Sequence, residues 1–209
     1  MKLAIFGGTG KGGRFLVPLA LEAGHEVVVL SRNPSNMPIQ NERLTVLQGD
    51  ISDRASVDKV IQGAEAVLSS LGAKNSAPAF SISKGFDNIL PSMKQHNVRR
   101  LIMSVGAVLF EPQDKPQPPN LLFNFIWRHF QTNVYEDMGQ VVQKVKASDL
   151  DWTIVRVPYL TERFSKPGTL RVGYLGDIGS MITRTDMSNF MLKQLESDAY
   201  VKKAPAISN

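Results

Sequence analysis

The stretch Leu3-Ala4-Ile5-Phe6-Gly7-Gly8-Thr9-Gly10-Lys11-Gly12-Gly13-Arg14 runs from a short apolar segment through glycines into an amphipathic segment. Its glycines fit both G-x-x-G-x-x-G (7, 10, 13) and G-x-G-x-x-G (8, 10, 13). The chemistry served by such spacing is phosphate binding. The chain must turn tightly and let its backbone approach a pyrophosphate, whose charge is met by free amides at a helix N-terminus. A strand before the glycines and a helix after them supply the context that makes the motif specific. About 20 residues further on, an NAD site carries an acid for the ribose 2′-hydroxyl, and an NADP site carries a cation for the 2′-phosphate. Here the sequence reads Leu30-Ser31-Arg32-Asn33. With no acid at that turn, Arg32 is the candidate for a charge-assisted contact to a 2′-phosphate. Lys11 adds a second cation inside the glycine turn, and the expected cofactor is NADP(H).

Two further turns carry candidate contacts. In Gln48-Gly49-Asp50-Ile51 a carboxylate can accept from an adenine amino group while Ile51 packs on the ring. Asp50 fits equally well as a cap of the helix starting near Asp53. Ser69-Ser70-Leu71-Gly72-Ala73 is a small-residue turn of the kind that lets a cofactor pass close to backbone, and it reads just as well as an ordinary glycine turn.

The elements that must position these residues follow from periodicity. Leu3–Phe6, Glu26–Leu30, Leu44–Leu47, Ala66–Ser69, Arg100–Ser104 and Trp152–Val157 read as strands; Gly12–Ala23, Arg54–Ile61, Phe80–Gln95, Val134–Ala147 and Thr185–Leu195 read as helices. Runs such as Val27-Val28-Val29-Leu30 lack polar alternation, as strands buried on both faces of a parallel sheet do. The pattern is that of a doubly wound, Rossmann-like α/β fold in one domain, which suits 209 residues. A Pro-rich and aromatic insertion at about 110–131 interrupts it. Segment Glu162–Ser180, with Pro167 and four glycines, reads as loops or a short hairpin, and a final extended tail follows.

Composition narrows the function. Zero cysteines exclude disulfides, thiolate metal sites and cysteine nucleophiles, and no spacing of the three histidines suggests a metal cluster. The formal charge of +5 suits anionic ligands but argues little for nucleic acid. No apolar run reaches the roughly 18 residues of a spanning helix, and the N-terminus lacks the flanks of a signal peptide. A cytoplasmic protein is the expectation, with neither nucleic acid nor stable membrane insertion.

The glycine turn, Leu30-Ser31-Arg32, Gly49-Asp50-Ile51, Leu71-Gly72, Ile102-Met103-Ser104, Leu150-Asp151-Trp152-Thr153-Ile154-Val155-Arg156-Val157-Pro158 and the tail Lys203-Ala204-Pro205-Ala206-Ile207-Ser208 together resemble the atypical short-chain dehydrogenase/reductases. Within that group the likeness is to NmrA-like proteins and flavin reductases of the biliverdin reductase B type. The resemblance implies that Thr9 to Gly12 hold the pyrophosphate, Arg32 the 2′-phosphate, Asp50 and Ile51 the adenine, and Leu71 and Gly72 the ribose side. Ser104 and Gly106, with Pro158 and Tyr159, then flank the nicotinamide, and Ser104 and Tyr159 are the candidate catalytic contacts.

Departures from the group bear on mechanism. Its catalytic members use a tyrosine with a lysine four residues later, but Tyr135 is followed at that spacing by Gly139. A tyrosine without that cation, with a reference pKa of about 10, is a poor acid or base at neutral pH. The family can place histidine where Tyr159 stands and serine where Gly106 stands. Hydride transfer to a flavin, quinone or similar planar acceptor tolerates these losses because it depends on orientation. The alternative is a non-catalytic NADP(H)-binding redox sensor. The segment Leu121-Leu122-Phe123-Asn124-Phe125-Ile126-Trp127-Arg128-His129-Phe130 is apolar around most of a helical circumference and is expected to be buried on more than one side. It reads as a core-packed lid with Trp127 at the mouth of the acceptor site, a protein or homodimer interface, or an interfacial membrane contact.

Overall fold

The computed structural model describes residues 1–72, 78–162 and 168–209; the side chains of Pro119, Asn120, Phe123 and Trp127 also lie outside what it describes. In chain order the elements are β1 (Lys2–Phe6), α1 (Gly13–Glu22), β2 (Glu26–Ser31), β3 (Leu44–Gln48), α2 (Arg54–Ile61), β4 (Ala66–Ser69), α3 (Ser81–Gln95) and β5 (Arg100–Gly106). They continue with α4 (Pro118–Phe130), α5 (Thr132–Lys146), β6 (Asp151–Val157), β7 (Tyr159–Thr161), β8 (Arg171–Gly173), β9 (Met181–Thr183), α6 (Arg184–Lys193) and β10 (Ala206–Ser208). One eight-stranded sheet runs β3-β2-β1-β4-β5-β6-β10-β8, all parallel except β8, which lies antiparallel to β10.

Alternate residues along each strand feed two cores. Ala4, Phe6, Val28, Leu101, Met103, Trp152 and Ile154 pack under α2, α3 and α5. Leu3, Ile5, Val27, Val29, Ile102 and Val155 pack under α1 and α6. Helices cover both faces, so the central strands are mostly apolar, and each fully buried side chain such as Phe6 or Phe86 contributes on the order of 2 kcal/mol. Helix α1 buries Leu16, Val17, Ala20 and Leu21, the stripe that a 3.6-residue period places on one face.

Several expectations are corrected. Asp53, not Asp50, caps α2, accepting from the amides of Ala55 (3.2 Å) and Ser56 (3.1 Å). Helix α4 starts at Pro118, because proline suits the first turn, where amides have no intrahelical partner. No hairpin forms within 162–180 among the described residues: β7 pairs with β9 in a separate parallel ribbon, and β8 takes the extended tail, β10, as partner. Pro167 and Ala73 lie outside the described residues. The burial expected for Leu121–Phe130 fails most clearly. Every described apolar side chain in that stretch is exposed, because α4 rests chiefly against α5 rather than on the sheet.

Candidate functional site

The strand order reverses between β1 and β4, the switch point at which open α/β sheets bind ligands beyond the strands' carboxyl ends. The glycine turn lies there. Gly7 has φ +82°, and its carbonyl accepts the Gly10 amide at 2.9 Å. A Cβ on Gly13 would stand 2.2 Å from the Gly7 oxygen, so no larger residue fits unless the turn opens. Helix α1 has Gly12 at its cap, no capping side chain and no acid in its first turn. The amides of Lys11, Gly12 and Gly13 have no hydrogen-bond partner among the described residues. Unpaired amides at a positive helix end form an anion cradle, so the residues present fit a dinucleotide pyrophosphate.

The expected ribose and adenine contacts surround this turn. Ser31 at the end of β2 is buried; its hydroxyl lies 3.4 Å from that of Thr9 and donates to the Asn33 carbonyl at 2.9 Å, tying the glycine turn to the β2 edge. Arg32 projects from that edge with its side chain 81 % exposed, its Nε 3.9 Å from Asp50 Oδ2. Asp50 Oδ1 accepts from the Ser52 amide (2.9 Å) and hydroxyl (2.8 Å). The amide bond holds the Asp50 carboxyl below its usual range, against some burial, with help from the Ser52 hydroxyl and the Arg32 charge. Ile51 is seated where a Cβ on Gly85 of α3 would be, so its side chain serves packing between α2's approach and α3. On the β4 side, Ser70 donates its amide to Phe6 O (3.0 Å) and its hydroxyl to Gly7 O (3.3 Å). A Cβ on Gly72, next to half-buried Leu71, would meet no atom of the described residues within 4 Å.

Strands β5 and β6 run three residue pairs past the end of β4, through Ser104↔Val155 and Val105↔Arg156 to Gly106↔Val157. Ser104 is half-buried on the α1 side of the sheet, and its hydroxyl has no partner among the described residues. Gly106 is exposed, and Pro158 leads into Tyr159, which is 70 % exposed. The structure therefore brings Ser104, Gly106, Pro158 and Tyr159 to one edge, beside the crevice.

On the other side of the sheet, Tyr135 lies half-buried beneath the Arg128 guanidinium, which is 5.8 Å from its ring centre. Two residues on, Asp137 is buried and accepts from the amides of Ile82 (3.1 Å) and Ser83 (2.7 Å), capping α3 from a neighbouring helix. Sequence reasoning missed this cap. It also missed Asp114, which lies in the Pro-rich insertion and is paired with Arg156 of β6, both side chains 1 % exposed. Arg156 donates to Asp114 from both terminal nitrogens (2.6 and 2.8 Å), to Ala204 O (2.8 Å) and to Leu109 O (3.2 Å). Asp114 also accepts from the amides of Glu111 (2.7 Å) and Leu175 (2.9 Å). Burial pushes the Asp114 carboxyl up, but the Arg156 hydrogen bonds, the two amides and the Arg156 charge outweigh it and leave the carboxyl below its usual range. The signal available in sequence was an arginine between valines in the mostly apolar strand Trp152–Val157. Trp127 at the acceptor mouth lies outside the described side chains.

A doubly wound sheet with an anion cradle at its switch point defines a dinucleotide-binding protein. The family described as NAD(P)H-binding matches residues 7–198, and the chain belongs to it. Among curated relatives, cinnamoyl-CoA reductase 1 of Petunia hybrida is 29% identical over 125 residues, 52% of this chain and 38% of that protein. The chain spans about a third of the length of the first such relatives it matches. A short-chain dehydrogenase/reductase of Veillonella parvula DSM 2008 in complex with NADP superposes with TM-score 0.79 at 17% identity, covering 100% of this chain and 94% of that one. An Escherichia coli O157:H7 protein described as an anaerobillin reductase gives TM-score 0.76 at 16% identity, covering 100% and 97%. Membership of the family agrees with the NADP(H)-type cofactor expected from the glycine turn and Arg32.

Proposed function

We propose that the protein is an NADPH-dependent reductase of a flavin, quinone or similar planar acceptor. The observation that carries this reading is a contrast: the amides of Lys11, Gly12 and Gly13 at the start of α1 have no partner among the described residues and suit a pyrophosphate, while the position of the general acid's lysine is occupied by Gly139. NADPH, when bound, would supply a hydride, and the single proton that completes the acceptor's reduction would come from solvent. The free amides of Lys11, Gly12 and Gly13 hold the pyrophosphate, assisted by Thr9, and Gly7 and Gly10 shape the turn. Arg32 binds the 2′-phosphate, Asp50 and Ile51 border the adenine, and Leu71 and Gly72 line the ribose side. Ser104, Gly106, Pro158 and Tyr159 bound the space for the rings, where the unpaired Ser104 hydroxyl can donate to an acceptor carbonyl and the exposed Tyr159 ring can stack on a planar one. The comparison with a protein described as an anaerobillin reductase supports a reductase on this fold.

The test is NADPH oxidation measured side by side with FMN, riboflavin, quinones and biliverdin. Turnover with at least one of them is expected. Tight NADPH binding without turnover on any would replace the reading with a non-catalytic NADP(H) sensor, the alternative that Gly139 favours.

A further inference from the structure

Of the seven apolar side chains between Leu121 and Phe130, five are described, and all five meet solvent: Leu121 49 %, Leu122 61 %, Phe125 68 %, Ile126 44 % and Phe130 71 % exposed. At about 100° per residue these five and His129 occupy one continuous half of α4. On the opposite half Asn124 is half-buried and donates to the Val108 carbonyl just beyond β5. Five such side chains present an apolar strip of roughly 500 Å², at the upper end of what a monomer leaves uncovered.

Charge and area decide what covers it. From Lys115 to Tyr135 the chain carries two cations, Lys115 and Arg128, and not one Asp or Glu. The nearest acid before this stretch, Asp114, is consumed by Arg156, and the protein as a whole carries +5. A second copy would bring the same cations and no carboxylate from its own α4. The strip also falls short of the roughly 800 Å² per partner found in stable dimers. An anionic bilayer surface meets both demands, taking the apolar half at the acyl boundary and the cations at its phosphates. With 13 residues α4 is about 20 Å long, too short to span a bilayer and suited to lying along one.

We propose that α4 is an interfacial helix that docks the protein on anionic lipid. Because Asn124 ties α4 to the end of β5, docking sets the crevice edge against the bilayer. The proposal does not depend on which acceptor is reduced, or on turnover.

The experiment is co-sedimentation of the full chain with vesicles of phosphatidylcholine alone and of phosphatidylcholine with phosphatidylglycerol, at low and high salt. The wild type is expected to sediment with the anionic vesicles, less so at high salt. The triple variant Leu122→Gln/Phe125→Gln/Phe130→Gln, altered only at exposed positions and checked by thermal melting and NADPH binding, should partition at least tenfold more weakly. Arg128→Gln should lose about fivefold, the equivalent of roughly 1 kcal/mol per basic residue near an anionic surface. A wild type that stays in solution, or a triple variant that binds as well as the wild type, would overturn the proposal. So would a wild-type dimer that the triple variant dissociates, since the face would then belong to a second copy.

Discussion

The glycine turn after β1 and the segment from Glu111 to Phe130 border the same edge of the sheet, yet they are held in opposite ways. The turn is fixed by its own backbone: Gly7, Gly10 and Gly13 touch one another within seven residues, and a single Cβ on Gly13 would collide with the Gly7 oxygen. The 111–130 segment has no such local logic. It hangs on a carboxylate that meets an arginine 42 residues away and an amide 61 residues away, and its described apolar side chains on α4 then meet solvent. A ligand cradle built from main chain needs particular residue types at particular spacings, whereas a loop built on one remote ion pair leaves its surface free to serve another purpose.

Breaking the remote anchor should have the largest effect. Asp114→Asn leaves Arg156 buried without its counter-charge, and removal of one partner from such a pair costs about 3 to 5 kcal/mol. Urea denaturation measures this; a loss under 1 kcal/mol would show that the insertion is held some other way. The same pair sets a pH dependence. With the folded carboxyl below its unfolded value of about 3.9, the wild type's advantage is fully present above pH of about 4 and is lost as pH falls through the lower folded value. The gap between wild type and Asp114→Asn should therefore close in strongly acidic solution and stay constant at neutral pH.

In the glycine turn, Gly13→Ala forces the turn apart at a cost of about 3 kcal/mol, the upper end for overpacking, and should abolish NADPH binding in titrations even where the fold survives. Arg32→Ala touches one charge only: NADPH affinity should fall by about 1.5 to 3 kcal/mol while NADH is nearly unaffected. Equal losses for both nucleotides would remove Arg32 from the 2′-phosphate. The smallest effect is expected on the α5 side. Tyr135→Phe should leave the reductase rate within about threefold, far from the hundredfold typical of a proton-transferring group.

The same contrast explains what could be read from sequence. Strands β1, β4 and β6 and helix α2 were legible almost to the residue because they are buried on both faces or sharply capped, so composition and geometry agree. The places of Gly7 to Gly13 after β1 and of Arg32 after β2 were legible too, since each follows an apolar run that ends in a turn. Apolar content misled at α4, because a helix rich in Leu and Phe is read as core when a face with no partner among the described residues has the same composition. Asp114 with Arg156, and Asp137 with the start of α3, join elements far apart in sequence, and nothing in local periodicity encodes such pairings. The β8–β10 pairing escaped for the same reason, compounded by strands of three residues.

The Asp114 carboxylate also has a consequence for motion. Its two oxygens receive the amides of Glu111 and Leu175, and Lys115 donates its own amide to the Leu175 carbonyl at 2.7 Å. Two stretches that are strangers in sequence thus share one fastening, and neither can lift while the other stays closed. In hydrogen exchange the amides of Glu111, Lys115 and Leu175 should therefore behave as one cooperative unit, protected to a common extent and released together, so that the border of the crevice opens as a single panel rather than as separate fraying loops.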